Sequence, residues 1–442
     1  NIVRELATSF GERFGIPTEQ LETAWSKAVA AQLEFEERCQ EEGRLFLEEL
    51  ERNPRNCIVI LGRPYSVYDY GMNLNLPRRI AEYGYPVIPL EFVPYGDQAR
   101  AELTEAYWNL YWAYGQRILS AVEHIARYPN LHPLCFTNFK CGPDSYVLTY
   151  VESSIQEKPL LTLEFDEHNS EGGYITRLEA FFDTIGANPV KVCSKYESGM
   201  VIRDLMDIDR SEPLYIPNSP DNMTEAYAAV FRRFGFDARV CPPVDEEIYN
   251  LGRSFTRGSE CSPAIEMGSN FLRILETKDE EVFHFAMADS RGPCRMGQYS
   301  YLYNVIFKHF PGKKFDFVNV QVSVDTADSI NPEIKKNAYR GMVLLDLLQK
   351  CLHRTRPYEI EKGQTIETYR RQRSMLLHAL ESGEPLEPVF DRAIEAFREI
   401  RVQREQRPLV GIVGEYFVTT SPFINQRLVE VIEECGGEAW LV

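Results

Sequence analysis

Three cysteines, Cys141, Cys261 and Cys294, share one local pattern: each follows a strand or a polar loop, each stands close to a proline, and each precedes a helical run. In Leu134-Cys135-Phe136 an apolar run reads as the end of a buried strand. The chain then turns at Cys141-Gly142-Pro143 and continues from Asp144 to Val151 as a helix. Proline suits the first turn of a helix, where its missing N–H costs nothing. A thiol at that junction feels the positive end of the helix dipole, which favours the thiolate. Phe283-His-Phe-Ala-Met-Ala288 repeats the strand, and Arg291-Gly-Pro-Cys294-Arg-Met-Gly-Gln-Tyr299 repeats the framed cysteine before a helix. Thiolates are soft ligands, suited to iron–sulfur clusters or to zinc. Two lobes that each end a strand in such a cysteine point to a soft metal held between them. Three thiolates on a four-iron cluster would leave one iron open to a substrate, as open positions do in catalytic zinc sites.

Other residues carry weaker signals. Asp166, Glu167 and His168 follow an apolar run and could be acid–base machinery or a solvated turn. Arg295 and Gln298 flank Cys294 and could reach cluster sulfides or a substrate carbonyl, or cap the helix. Gly62-Arg-Pro-Tyr65 could form an anion-binding turn, but there is no Walker loop. Cys57, Cys135, Cys193, Cys241, Cys351 and Cys435 fall in strands or on helical faces and read as packing, and Cys39 as incidental to a charged helix. No Cys-x-x-Cys occurs, so a zinc ribbon has no support.

The elements that must position these residues alternate. Residues 1–55 read as a helical segment, with Leu21, Trp25, Ala28, Val29 and Leu33 at helical spacing. Residues 56–190 read as a first α/β lobe whose strands are the apolar runs at 57–61, 85–90, 132–136 and 158–163. A long aromatic helix over 103–126 carries Trp108, Tyr111, Trp112 and Tyr114. Residues 191–330 read as a second α/β lobe, opened by a linker with a short charged helix. Residues 331–406 read as a helical connector, and 407–442 as the opening of a third lobe cut short. The fold class expected is α/β, several doubly wound parallel-sheet lobes with helical connector segments, whose ligands gather at the carboxyl ends of the strands.

The 442 residues are enough for two or three domains. A net charge of −18 disfavours nucleic acid as the main partner. No run of about 18 apolar residues and no signal-peptide pattern is found, so a cytoplasmic protein without a membrane partner is expected.

TNFKCGPDSY (137–146), LEFDEHNSEGGYITRLEAF (163–181), RGSECSP (257–263), RGPCRMGQY (291–299), GRPY (62–65) and PLVGIVGE (408–415) together resemble the activase-related proteins of the 2-hydroxyacyl-CoA dehydratase superfamily. These are related to the dehydratase iron–sulfur component and to double-cubane cluster proteins. The resemblance implies an iron–sulfur protein of anaerobic cytoplasm that receives an electron from an ATP-hydrolysing activase. In the dehydratases that electron makes a ketyl radical from a 2-hydroxyacyl-CoA, which lets water leave; in double-cubane relatives it reduces small molecules. Carried onto this chain, it places ligation of a 4Fe–4S cluster on Cys141, Cys261 and Cys294. The alternatives are a double-cubane-type reductase or electron-transfer module, and a non-catalytic scaffold for the ATPase lobes. One departure matters: where relatives often carry ECxPC, this chain has Glu260-Cys261-Ser262-Pro263-Ala264. The second local thiolate is missing, which weighs against a double cluster within this chain.

Overall fold

Long apolar runs broken by Gly and Pro become buried parallel strands here, and the amphipathic runs between them become the covering helices. The computed structural model describes residues 2–94, 110–138, 141–155, 158–168, 170–187, 200–219, 222–288, 294–308, 310, 312–320, 331–403 and 405–441. Cys193 and Trp108 lie outside them. Contacts divide the chain into two compact units, Asn1–Glu197 and Ser198–Val442. The architecture is mixed α/β, with parallel sheets flanked by helices, as the alternation predicts.

The first unit opens with a helix over Thr18–Arg52. It comes so close to the Leu90–Phe92 turn that a Cβ on Gly43 would overlap the Phe92 carbonyl, so only glycine fits there. The sheet has four parallel strands: β1 (Cys57–Gly62), β2 (Val87–Pro89), β3 (Leu131–Asn138) and β4 (Leu161–Phe165), in the order β2-β1-β3-β4. The order reverses between β1 and β3, which run in register from Cys57 opposite Leu131 to Gly62 opposite Phe136. In sheets of this kind the crevice at the carboxyl ends of the strands beside such a reversal is where ligands bind. Ile58, Ile60, Leu134, Phe136, Leu163 and Phe165 face one way and pack on the Glu171–Ala187 helix. Of the aromatic helix expected over 103–126, residues 103–109 lie outside the described residues. Tyr111 and Trp112 precede it, and it runs over Ala113–Arg127. The Trp112 ring packs edge-on against Tyr146 at 6.2 Å, so tertiary packing takes this residue out of the helix.

The second unit holds β5 (Ile202–Asp204), β6 (Pro213–Ile216), β7 (Asp237–Val240), β8 (Val282–Met287) and β9 (Lys314–Asn319), all parallel, in the order β5-β9-β8-β6-β7. From β6 onward the sheet repeats the first one's order, reversing between β6 and β8. β5 lies in the stretch read as a linker; it is a three-residue edge strand with mostly exposed, charged side chains, too short to show a strand pattern. Alternation along β8 sends Phe283 and Phe285 to one face, among Phe271, Phe307, Phe315 and Phe317. Ala286 goes to the other face, with Leu214, Ile216 and Val318. That face is covered by the helices Met223–Arg233, Pro332–Thr355 and Gln364–Ser382 through Phe231, Ala338, Leu345 and Leu376. The residues read as a connector are therefore part of this unit's core. A parallel pair, β10 (Leu409–Ile412) and β11 (Glu438–Leu441), follows. No helix among the described residues is long and apolar enough to cross a membrane.

His284 stands in β8 with 3% of its surface exposed. Its ring nitrogens meet Asp316 at 2.6 Å and Glu212 at 2.8 Å, and Arg203 meets Asp316 from the other side at 2.6 Å. The hydrogen bond to Asp316, opposed by burial and aided by Glu212, raises the imidazole above its ordinary 6.5. A group protonated more readily when folded stabilises the fold fully below its unfolded pKa, and the gain is lost as pH rises through the folded value. The thermal midpoint of wild type should therefore exceed that of His284→Gln most at acidic pH, and the gap should narrow from neutral pH upward. A gap that widens with pH would show that the ring is neutral in the fold.

Candidate functional site

β1 and β3 end side by side, and each delivers a polar residue to the crevice of the first unit. After β1, Arg63 caps the short Pro64–Val67 helix in extended conformation. After β3, Cys141 begins a turn in which its N–H bonds the Asn138 carbonyl and its own carbonyl accepts from Ser145 N. Pro143 caps the helix Asp144–Ser154. Arg63 donates to Asp144 Oδ1 through Nε at 3.2 Å and Nη2 at 3.0 Å, and Thr137 Oγ1 donates to the other oxygen at 3.0 Å. The Arg63 guanidinium and the Tyr65 hydroxyl also lie within electrostatic reach of the Cys141 side chain. Burial works against the Arg63 charge, but Asp144 and Cys141 outweigh it and hold the guanidinium above its ordinary range. Tyr65 is pushed up by burial and then by Cys141, so it stays a neutral donor. Cys141 thus has a cation, a phenol and a helix start as its neighbours.

The second unit brings its two cysteines to one phenol. Cys261 is the N-cap of the helix Ser262–Thr277, in extended conformation with Pro263 in the first turn. The buried Glu260 closes the loop before it by accepting from the N–H groups of Arg257 at 3.2 Å and Ser259 at 3.1 Å. Cys261 Sγ lies 2.9 Å from the Tyr299 hydroxyl. Cys294 is exposed, at the N-cap of the turn Arg295–Gln298 that leads into the helix Tyr299–Phe307. Burial first, then Cys261 and, more weakly, Cys294, push the Tyr299 hydroxyl far up, so both thiols lie within electrostatic reach of it. Cys141 and Cys294 hold matching stations: each follows the third strand of its sheet's repeated order.

The remaining predicted residues fall out differently. Gln298 is fully buried and donates to the Gly297 carbonyl at 3.3 Å, while Arg295 is half-buried beside Cys294. Glu167 and His168 are exposed on the turn after β4, with 3.5 Å between carboxylate and imidazole and the Asp166 carboxylate accepting from His168 N. This is the geometry of a solvated turn, and it carries no acid–base argument. Cys57, Cys135 and Cys241 are buried, as the packing reading expects, and burial pushes the Cys57 thiol up to about 12; Cys351 is half-buried, Cys435 is exposed against that reading, and Cys39, read as incidental, is buried. Sequence reasoning gave Arg63 and Tyr65 only as an anion-binding or ordinary turn. Their role beside Cys141 depends on β1 neighbouring β3, which no local pattern encodes.

A soft metal is tested by these donors. Their kind fits: three thiols at the entries to helices or helical turns, with the Tyr299 hydroxyl at hydrogen-bond distance from Cys261 and with Arg63 and Tyr65 within electrostatic reach of Cys141. Their number within either unit does not complete a site; among the described residues no group of three or more His, Cys, Asp and Glu stands ready to hold a metal ion.

Residues 1–93 match the family model of the CoA enzyme activase uncharacterised domain (DUF2229). This part of the chain is activase-related. It spans the Thr18–Arg52 helix, β1 and β2, and so carries Arg63 and Tyr65 but none of the three candidate cysteines. No curated protein sequence matches the chain significantly. A solved structure, a C2-type ketoreductase from a modular polyketide synthase, aligns over 75% of this chain and 89% of its own at 11% identity; its TM-score of 0.21 carries no argument about fold or function.

Proposed function

We propose that this chain is the iron–sulfur component of an activase-driven CoA-enzyme system, with Cys141, Cys261 and Cys294 as cluster ligands. It would accept an electron from an ATP-hydrolysing activase and use it on an acyl-CoA, the candidate reaction being loss of water from a 2-hydroxyacyl-CoA. The observation that carries the reading is the placing of the three thiols. Each stands at the entry to a helix or helical turn, Cys141 and Cys294 after the third strand of their sheets, and each lies near a phenol. The activase-related 1–93 segment supports the partner and the CoA-linked chemistry. A bound cluster would supply a low-potential electron and a Lewis-acidic iron. The chain's own part would be to present the three sulfurs, with the Tyr299 hydroxyl at hydrogen-bond distance from Cys261 and the Arg63 charge near Cys141, influences that raise the potential of a cluster.

Anaerobic reconstitution followed by iron and acid-labile sulfide analysis tests this. Wild type should retain both, and Cys141→Ser, Cys261→Ser and Cys294→Ser should each lose most of the iron. Full iron retention in all three variants, or zinc without sulfide in wild type, would reject the assignment.

A further inference from the structure

The helix Ser262–Thr277 is buried along most of its length, and Glu266 lies inside it with 4% of its surface exposed. Among the described residues its one hydrogen-bond partner is the Ser421 hydroxyl, 3.5 and 3.3 Å from the two carboxylate oxygens. A hydroxyl has a single proton to donate, so a buried carboxylate is left short of donors. Burial pushes this carboxyl up to about 7, with Ser421 pulling the other way. Glu266 lines a pocket of about 730 Å³ together with Asn218 and Ser219, which follow β6, and Pro243, which follows β7. That is the carboxyl edge of the sheet, beside the reversal between β6 and β8, and the volume is of the size that holds a small ligand.

Most polar groups around the pocket are already engaged. Asn218 N–H donates to Asn270 at 2.7 Å, the Asn222 amide donates to Asp346 and Gln349, and Arg373 is paired with Glu225 at 2.9 Å. Two charged groups are not matched in this way. One is Glu266. The other is Arg370, which lines the same pocket, is exposed, and makes no ion pair or hydrogen bond among the described residues. The aromatic rings of Phe423 and Tyr369 also line it, and Phe423 is held by Tyr249 at 5.3 Å.

We infer that this pocket binds a small zwitterion, an α-amino acid or an amine carboxylate of similar size, with its ammonium on Glu266 and its carboxylate on Arg370. An ammonium brings three donors and a positive charge to a carboxylate that lacks both. The aromatic walls add cation–π attraction to the same group. The arginine, at the exposed end, suits a carboxylate through its planar fork. None of the candidate cluster cysteines lines the pocket, so the inference stands apart from the proposed cluster.

Calorimetric titration of the full chain with the proteinogenic amino acids, alongside the matching decarboxylated amines and deaminated acids, tests it. At least one amino acid should bind with a Kd between about 1 μM and 1 mM. Glu266→Gln should weaken it by about tenfold or more, a loss of one charge-assisted contact. Arg370→Gln, at an exposed position that the fold does not need, should weaken the amino acid but leave its decarboxylated amine unchanged. Absence of binding across the panel, or equal affinity in Glu266→Gln, would overturn the inference. Equal loss of acid and amine in Arg370→Gln would overturn the orientation.

Discussion

Arg63→Met should destabilise the Asn1–Glu197 unit by about 3 kcal/mol, a fall in thermal midpoint of about 6–12 °C for a unit of this size. The Arg63 and Asp144 side chains are 15% and 7% exposed, so the pair is desolvated on both sides. Removing the guanidinium strands a buried carboxylate, and that uncompensated charge is the source of the loss. Two features keep it at the lower end of the range for broken buried pairs. Thr137 still donates to Asp144, and Asp144 opens the helix Asp144–Ser154, whose dipole favours a carboxylate there. The double variant Arg63→Met/Asp144→Asn should recover much of the loss, because the second change removes the stranded charge. Arg63→Met should also slow alkylation of Cys141 severalfold, since the attacking sulfur loses the cation beside it. Denaturant melts of the two variants, with mass-spectrometric alkylation rates, decide this. A double variant no more stable than Arg63→Met would show that the pair is not the cause.

The strands, and with them the stations of Cys141 and Cys294 after a strand and before a helical stretch, were legible in the sequence; the order of the strands in the sheets was not. Buried parallel strands are near-continuous apolar runs, and Cys57-Ile-Val-Ile-Leu61 and Phe283-His-Phe-Ala-Met-Ala288 leave little else to be. Pro143 and Pro263 marked helix starts for the same local reason. What surrounds the thiols was not legible. Arg63 reaches Asp144 across 81 residues only because β3 inserts beside β1, and Tyr299 reaches Cys261 across 38. Glu167 and His168 drew attention as titratable residues at a strand end, yet residue type cannot say whether a turn faces a crevice or water. Glu266 and His284 did carry a signal that composition alone misses: each is an ionisable residue flanked by apolar ones in a helix or strand, where burial forces it to find a partner.

Lys158→Met separates fold from site. Lys158 is 7% exposed, and its ammonium donates to the carbonyls of Ile125 at 2.6 Å, Leu131 at 3.1 Å and Tyr128. The first and last of these lie at the end of the Ala113–Arg127 helix and just beyond it; Leu131 starts β3. One cation therefore caps a helix C-terminus, where the dipole favours it, and fixes the chain that turns into the strand leading to Cys141. Methionine fills the space but leaves three carbonyls without that donor, at a cost of about 2–4 kcal/mol. His132, which burial and then the Lys158 charge push down to about 4, should titrate higher in the variant, a change that NMR reads directly. Cys141 lies beyond the opposite end of β3, and its neighbours Arg63 and Tyr65 come from the short helix after β1 and its N-cap. Its alkylation rate should be unchanged under conditions where the variant stays folded. A loss of stability with unchanged thiol reactivity in Lys158→Met, against loss of both in Arg63→Met, assigns the reactivity of Cys141 to its immediate neighbours; a parallel drop in both variants would assign it to the fold as a whole.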